Sequence, residues 1–525
     1  MNIPYNCLHA RGGILFASRG GRLHSFKLSD MSFISTWIHP AVESIAESAQ
    51  EAQKLAEQSE QVSQTATDAT AVAVEEVPAQ EDGDEPPAKR AKVEPEAADK
   101  SDAKQEDKQK GKKKKGGKDG QKDNMRLAHV PDRPIIIQLT STDDGKHVVA
   151  VTGHDKAVWV FEHDGNGNLK ELSKRVMPKR PSSIVVTPEA NILSADKFGD
   201  VYQLPLIPSA DFTPKPSTLA ALSKQPFTKP AATPLTVHSK GNLQALANQQ
   251  RQIELEGSGK EISVRAEEPN FELLLLLGHV SMLTSLCIGQ VDGRKYILTS
   301  DRDEHIRVSR FTPQAHIIQS FCLGHKHFIN DMTIPELRPE ILVSGGGDDD
   351  LFVWDWVNGK LLSTVSMLDV VKTIAPDAAA VAVSNLCSLT CPDESGPLPY
   401  VLAICEGSSG IFTWKVTEDG SLKCPGIIQL PGKPLDLIVV PGDKPTIAVA
   451  LHTPEASEAK SVHIFELGIN DDRLCVNTDS VLQDNELDQP GLEATDAEIK
   501  GLFYTIEQLR KQSGGNEEEG GQDDN

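Results

Sequence analysis

An all-β fold, a closed ring of seven four-stranded blades, is what this chain predicts, on three observations. First, two neighbouring segments are versions of one unit. One runs from Gly278-His279 to the turn Ser300-Asp301-Arg302-Asp303-Glu304-His305-Ile306-Arg307-Val308, the other from Gly324-His325 to Gly347-Asp348-Asp349-Asp350-Leu351-Phe352-Val353-Trp354-Asp355, and the step from His279 to His325 is 46 residues. Second, a turn followed by an aliphatic residue and, three residues on, a closing aromatic recurs along the chain. Its closing position falls at Phe26, Phe161, Leu204, Ser309, Trp354, Trp414 and Phe465, which suits a tight turn entering a buried, alternating strand. Third, the two overlong intervals, Phe26 to Phe161 and Leu204 to Ser309, each hold a biased, weakly hydrophobic stretch whose removal restores about one unit.

A Gly-His opening, a turn Asp and a closing Trp-Asp at roughly 40–45 residues is the WD40 signature. Each unit is one propeller blade, which cannot bury its faces alone, so the ring must close. In chain order, residues 1–39 give the first blade. Residues 40–125 form an insertion, Ala/Glu/Gln-rich at first, then basic. Residues 126–206 give further blades, 207–262 a Pro/Ser/Thr-rich mobile insertion, and 263–480 the remaining blades. Residues 481–513 form a C-terminal extension, and 514–525 a disordered acidic tail. The Leu273–Leu277 run reads as a buried strand. Ring closure is expected from pairing of N-terminal residues near Ile3–His9 with the last blade, which removes exposed sheet edges. In the extension, Thr495-Asp496-Ala497-Glu498 has capping-box form. Ile499, Leu502, Phe503, Ile506 and Leu509 follow at helical spacing and predict one amphipathic helix, for packing on the ring or for docking a partner.

His325, Ser344, Asp348 and Trp354 predict a hydrogen-bonded tetrad inside one blade. That structural role, and not catalysis, accounts for this His-Ser-Asp set. The preceding repeat has Ser309 in place of the tryptophan and is expected to be held more by packing. The chain contains no phosphate-cradling loop or nucleophile elbow. Gly407-Ser408-Ser409-Gly410 reads as a turn. The 8 cysteines are scattered. Cys387 and Cys391 lack a second ligand pair, so no metal site is predicted and reduced, buried thiols are. No apolar run reaches the length needed to cross a membrane. A net charge of −23 excludes a surface that grips nucleic acid all round. In the first insertion, the cluster Lys89, Arg90 and Lys92 follows two prolines. It suits the acidic groove of a nuclear import receptor, or is a solvated linker.

The run Asp301-Arg302-Asp303-Glu304-His305-Ile306-Arg307 places six ionisable residues in seven positions. Lys197 and Asp200 sit in the corresponding turn of the preceding blade. Adjacent turns of this kind suit recognition of a partner in a fixed register.

Three stretches carry a closer resemblance: Ser194-Ala195-Asp196-Lys197-Phe198-Gly199-Asp200-Val201-Tyr202, Leu277-Gly278-His279-Val280-Ser281-Met282-Leu283, and Ile297 through Ser309 continuing into Ser320-Phe321-Cys322-Leu323-Gly324-His325-Lys326-His327. Together they resemble the WD-repeat, non-catalytic subunit family of the eukaryotic tRNA (guanine-N7-)-methyltransferase. The resemblance implies a heterodimer, in which a separate catalytic subunit binds S-adenosylmethionine and forms N7-methylguanosine in tRNA. This chain would carry no cofactor. It would stabilise the enzyme and help to position tRNA, in the nucleus. The partner-facing candidates are Lys197, Asp200, Asp303, Glu304 and Arg307. The alternative is a general nuclear WD40 scaffold or substrate adaptor, which leaves the Asp-Arg-Asp-Glu-x-Ile-Arg run unexplained.

Overall fold

The computed structural model describes residues 2–43, 133–209, 212, 269–453, 460–482 and 492–511. Residues 44–128 form a unit of their own and lie outside the described residues, as do Lys89, Arg90 and Lys92 of the import-like cluster. The rest is a β-propeller of seven four-stranded antiparallel sheets. All seven closing positions fall on the third strand of a blade: Phe26 on Arg22–Lys27, Phe161 on Ala157–His163, Leu204 on Asp200–Pro205, Ser309 on His305–Arg310, Trp354 on Asp350–Asp355, Trp414 on Gly410–Val416 and Phe465 on Val462–Asn470.

Strand alternation explains why the middle strands are apolar on both faces. Successive side chains point to opposite sides of a sheet, and in a propeller both sides meet another blade. Val148 and Ala150 therefore pack toward blade one, while Val149 and Val151 pack toward blade three. One buried apolar cluster spans each of the seven blade junctions, including that between blade seven (Ala448, Ala450, Ile464) and blade one (Tyr5, Leu8, Phe26).

A polar belt lines the inner strands. Gln138, Ser183, Ser285, Asp331, Asn385 and Asp436 each follow a register irregularity in the first strand of their blade, and such a bulge re-aims a side chain. Asn6 Nδ2 donates to Ile136 O at 2.7 Å, and Gln138 donates to Ser182 O. Leu286 N donates to Ser183 Oγ at 3.2 Å, Ser285 Oγ to Asp331 Oδ1 at 3.0 Å and Leu386 N to Asp331 Oδ2 at 2.8 Å. Asn385 Nδ2 donates to Asp436 Oδ1 at 3.2 Å, and Leu8 N to Asp436 Oδ2 at 2.7 Å. Every junction of the ring is bridged.

Ring closure thus differs from the sequence expectation. The strand Cys7–Arg11 pairs within its own blade, with Ile14–Arg19. Blade seven is complete without it, from Lys433–Val440 to Arg473–Val481. Closure falls instead to Asp436, the apolar junction and the C-terminal extension. There Ile3 N donates to Leu492 O at 2.8 Å and Asn2 bridges to Glu493.

The extension is a strap across one end of the ring. Its helix spans only Asp496–Phe503, with Thr495 and Glu498 forming the predicted capping box. Ile506 and Leu509 do not continue that helix as their spacing predicted; a separate 3-10 turn follows at Glu507–Leu509. The physical reason is capture of the chain by the blades. Tyr504 Oη meets His452 Nδ1 at 2.7 Å. The two oxygens of the Glu406 carboxylate accept Ile506 N at 3.1 Å and Glu507 N at 2.7 Å, taking amides that a continuing helix would bond internally. Of the predicted apolar positions, Ile499 and Leu509 are buried.

Blade three carries an insertion and departs from the sequence expectation in its outermost strand. The first insertion lies between blades one and two, but the second lies inside blade three, between Asp200–Pro205 and its outermost strand Leu274–Gly278. That last strand is an edge, so the leucine run is not a buried strand: Leu274 and Leu275 are more than half exposed.

Candidate partner-docking edge

The tetrad of blade five forms as expected. Trp354 Nε1 donates to Ser344 Oγ at 2.9 Å, Ser344 Oγ meets His325 Nε2 at 2.7 Å, and His325 Nδ1 meets Asp348 Oδ2 at 2.8 Å. All four residues are buried. Each polar atom is spent on its neighbour and none faces solvent chemistry, so the set orients strands.

Blade four is not held by packing alone. His279 Nε2 meets Thr299 Oγ1 at 2.8 Å and His279 Nδ1 meets Asp301 Oδ2 at 3.2 Å. The aspartate sits two positions upstream of the Asp348 equivalent, and the histidine, threonine and aspartate bond to one another although Ser309 replaces the tryptophan. Arg307 Nε donates to Ser309 Oγ at 2.9 Å, on the residue that replaces the tryptophan. Blade two has a related network: Trp159 Nε1 donates to Thr152 Oγ1 at 3.0 Å, Thr152 donates to Asp155, and Asp155 Oδ2 meets His39 Nε2 at 3.3 Å. The first insertion separates His39 from the rest in sequence and hid the pattern. His39, His154 and Asp155 are also the one group among the described residues with metal-ligand spacing. The Lys174 ammonium already sits 2.8 Å from Asp155 Oδ2 and supplies the positive charge there.

All eight cysteines are free. Burial pushes the thiols of Cys287, Cys322 and Cys391 up to about 12, far from the reactive range.

The charged turns of blades three and four form one continuous edge. His279 N donates to Gly199 O at 2.7 Å. Gly199 has φ +106°, and a Cβ there would collide with the His279 carbonyl, so this junction requires glycine. Asp200 stands opposite Gly278 in the strand register, and Arg307 Nη1 donates to Gly278 O at 3.1 Å. Asp200 also accepts Tyr202 Oη at 3.1 Å. Asp200 and Arg307 thereby meet at Gly278, while Lys197, three residues before Asp200 in the same turn, donates its N–H to Arg180 O at 3.2 Å. Asp303 and Glu304 lie on the far limb of the blade-four turn, where Lys511 of the strap holds them at 3.3 Å and 3.0 Å.

Lys197 is half-buried, and its ammonium has no carboxylate partner among the described residues. Burial, and then the nearby Arg180 guanidinium, pull its pKa down to about 8. Beside it Phe198 is 53% exposed, with the Lys179 ammonium 4.2 Å from its ring centroid. Val280 is fully exposed on the connecting loop, and Leu274, Leu275, Phe321 and Leu323 are exposed on the outer strands. Among the described residues, eight of the fifteen exposed large apolar side chains belong to these two blades of seven and the link between them. Such concentration marks an interaction surface. The amino-acid run had signalled the charges; it could not signal the apolar residues, because exposure depends on which strand is outermost.

Seven four-stranded blades, one of them carrying the His-Ser-Asp-Trp tetrad, define a WD40-repeat propeller. Comparison with known proteins gives the family. Residues 15–466 match the family model of the tRNA methyltransferase TRM82 WD40 domain. The chain is 36% identical, over 97% of its length and 98% of the other's, to the tRNA (guanine-N(7)-)-methyltransferase non-catalytic subunit trm82 of Sclerotinia sclerotiorum. It is 43% identical over 60% of this chain and 62% of the protein of the same name from Aspergillus fumigatus. With the Phaeosphaeria nodorum protein of that name it shares 36% identity, over 72% of this chain and 83% of the other. The chain belongs to this family of non-catalytic tRNA (guanine-N7-)-methyltransferase subunits.

Proposed function

We propose that this chain is the scaffold half of a heterodimeric tRNA methyltransferase and that its catalytic partner docks on the edge of blades three and four. The observation that carries the reading is Lys197, a half-buried ammonium without a carboxylate partner among the described residues, beside the exposed Phe198. A carboxylate presented by the partner would meet a cation whose desolvation is already in place, and Phe198 and Val280 would bury against apolar surface around it. Arg307 adds a second cation of fixed orientation. Asp200 sets the charge pattern that selects register, and Asp303 and Glu304 take part with their charge partly met by Lys511. S-adenosylmethionine and the methyl-transfer chemistry reside in the partner. This chain keeps that partner active and helps to place tRNA through the complex. Import into the nucleus falls to Lys89, Arg90 and Lys92.

A binding titration with the catalytic subunit, followed by methyl transfer to tRNA, tests this. The reading expects a one-to-one complex that methylates guanine N7, with this chain alone inactive, and Lys197→Glu unable to assemble. A Lys197→Glu chain that binds like the wild type would reject the docking edge. For import, Lys89→Ala/Arg90→Ala/Lys92→Ala should abolish nuclear accumulation of the full chain.

A further inference from the structure

The last residues of the strap end on the docking edge and hold it through Leu509 and Lys511, with Arg510 between them anchored elsewhere. Arg302 Nε donates to Leu509 O at 2.8 Å. Lys511 Nζ lies between Glu304 Oε1 and Asp303 Oδ1. Arg510 anchors this end on the next blades: Nη1 donates to Gly347 O at 2.6 Å, Nη2 to Val381 O at 3.0 Å, and the guanidinium lies 5.7 Å from the Phe328 ring centroid. The turn being held is a strained one. Glu304 has φ +77°, uncommon for a residue with a side chain. Two of its amides, Asp303 N and His305 N, fold back on Asp301 Oδ1 at 2.9 Å and 3.0 Å. Arg302 N in turn donates to Met282 O, at the end of the loop that carries Val280. A line of contacts therefore runs from the strap through Arg302 to the apolar part of the edge.

Charge acts in the same direction. Asp303 and Glu304 would otherwise add two negative charges to an edge whose cations await a carboxylate, and Lys511, placed against both, offsets one of them.

We infer that the strap end, Leu509–Lys511, is a positioning element for partner docking: it fixes the Arg302–His305 turn in its strained form and screens its acids, and releasing it weakens the hold on the catalytic subunit. This rests on docking at the edge of blades three and four. The strap reaches that edge from the opposite side of the ring, where Leu492 and Glu493 meet the N-terminal segment. Ring closure and partner docking are therefore coupled through one segment.

The test uses the full chain as Arg510→Ala/Lys511→Ala, with Lys511→Ala alone as the milder variant and Lys197→Glu as the control on docking. Hydrogen exchange of the Asp303 and His305 amides reads the turn, and a titration with the catalytic subunit reads docking. The double variant is expected to speed exchange at those amides about tenfold, to leave the Val148–Val151 amides of blade two unchanged, and to weaken the complex about tenfold. Lys511→Ala should weaken it about threefold, and this variant is read alone if the double variant does not fold. Unchanged exchange at the turn overturns the positioning role. Faster exchange with undiminished affinity, while Lys197→Glu loses binding, overturns the coupling. Lys197→Glu binding like the wild type removes the docking reading itself.

Discussion

Asp436, on the inner strand of blade seven, accepts the backbone N–H of Leu8, on the inner strand of blade one, at 2.7 Å. The two residues are 428 apart in sequence. This bond closes a belt in which a polar side chain at or just before an innermost strand bridges each pair of neighbouring blades. A ring built this way needs no strand shared between its first and last blades. The N-terminal strand completes its own sheet, and the seventh junction repeats the chemistry of the other six.

Asp436→Ala should therefore be far more damaging than its size suggests. It strands the Leu8 N–H and the Asn385 amide in the core and removes the acceptor of Leu437 N. Each buried donor left unpaired costs roughly 1–3 kcal/mol. A loss of about 3 kcal/mol is expected in denaturant unfolding. Asp436→Asn keeps one acceptor oxygen and should lose less than half of that. Equal losses for both variants would show that the belt's hydrogen bonds do not matter and only its packing does.

The belt also sets a pH dependence. Burial raises Asp331 to about 6, and burial followed by the charge of Asp331 raises Asp436 to about 7, against an ordinary value of 3.8. The folded state thus binds protons more tightly than the unfolded chain. Their contribution to stability is full below about pH 4 and is lost as pH rises through 6 and 7. Each carboxylate contributes a slope of up to about 1.4 kcal/mol per pH unit within that window. The wild type should be more stable at pH 5 than at pH 8, measured by urea unfolding at both. Asp331→Asn/Asp436→Asn should flatten the difference. An unchanged slope in the double variant would exclude these two groups as its source.

The repeats were legible because their defining contacts are short-range. His325, Ser344, Asp348 and Trp354 fall within one 30-residue stretch, and five of the seven third strands close on an aromatic after a turn, with Leu204 and Ser309 in the other two. What stayed hidden is long-range or displaced. The Asp436–Leu8 bond leaves no local pattern. Asp301 sits two places from where the repeat puts its aspartate, and His39 is cut from Thr152 and Trp159 by an insertion. The helical spacing of Ile506 and Leu509 was real, but periodicity cannot register a carboxylate such as Glu406 waiting to take the amides. The charged edge was read from Asp301–Arg307 alone, whereas its apolar half became visible only with the outermost strands.

The tetrad predicts a separation of stability from activity. Trp354→Phe removes the donor to Ser344 and should cost about 1–2 kcal/mol; Trp354→Ala also opens a cavity and should cost about 3–5 kcal/mol. Below their melting temperatures, both variants should support wild-type methyl transfer in complex with the catalytic subunit. A drop in turnover at full assembly would mean that this His-Ser-Asp set does more than hold strands.

Arg307 and Lys197 should behave differently although both are cations of one edge. Arg307 is committed to its own fold, through Gly278 O and Ser309 Oγ. Arg307→Glu should lose about 1–2 kcal/mol of stability and also weaken assembly, because it loosens the Gly278 junction on which the Lys197 turn leans. Lys197 makes no ion pair within the described chain, so Lys197→Glu should leave the unfolding midpoint within about 0.5 kcal/mol of the wild type while weakening the complex a hundredfold or more, as expected for a charge reversal opposite a desolvated carboxylate. Lys197→Met separates charge from packing: it keeps the apolar stem, and an affinity between those of the wild type and Lys197→Glu would assign the difference to the ammonium. If Lys197→Met binds as tightly as the wild type, the docking energy comes from Phe198, Val280 and the outer-strand leucines, and the cation serves only to exclude wrong partners.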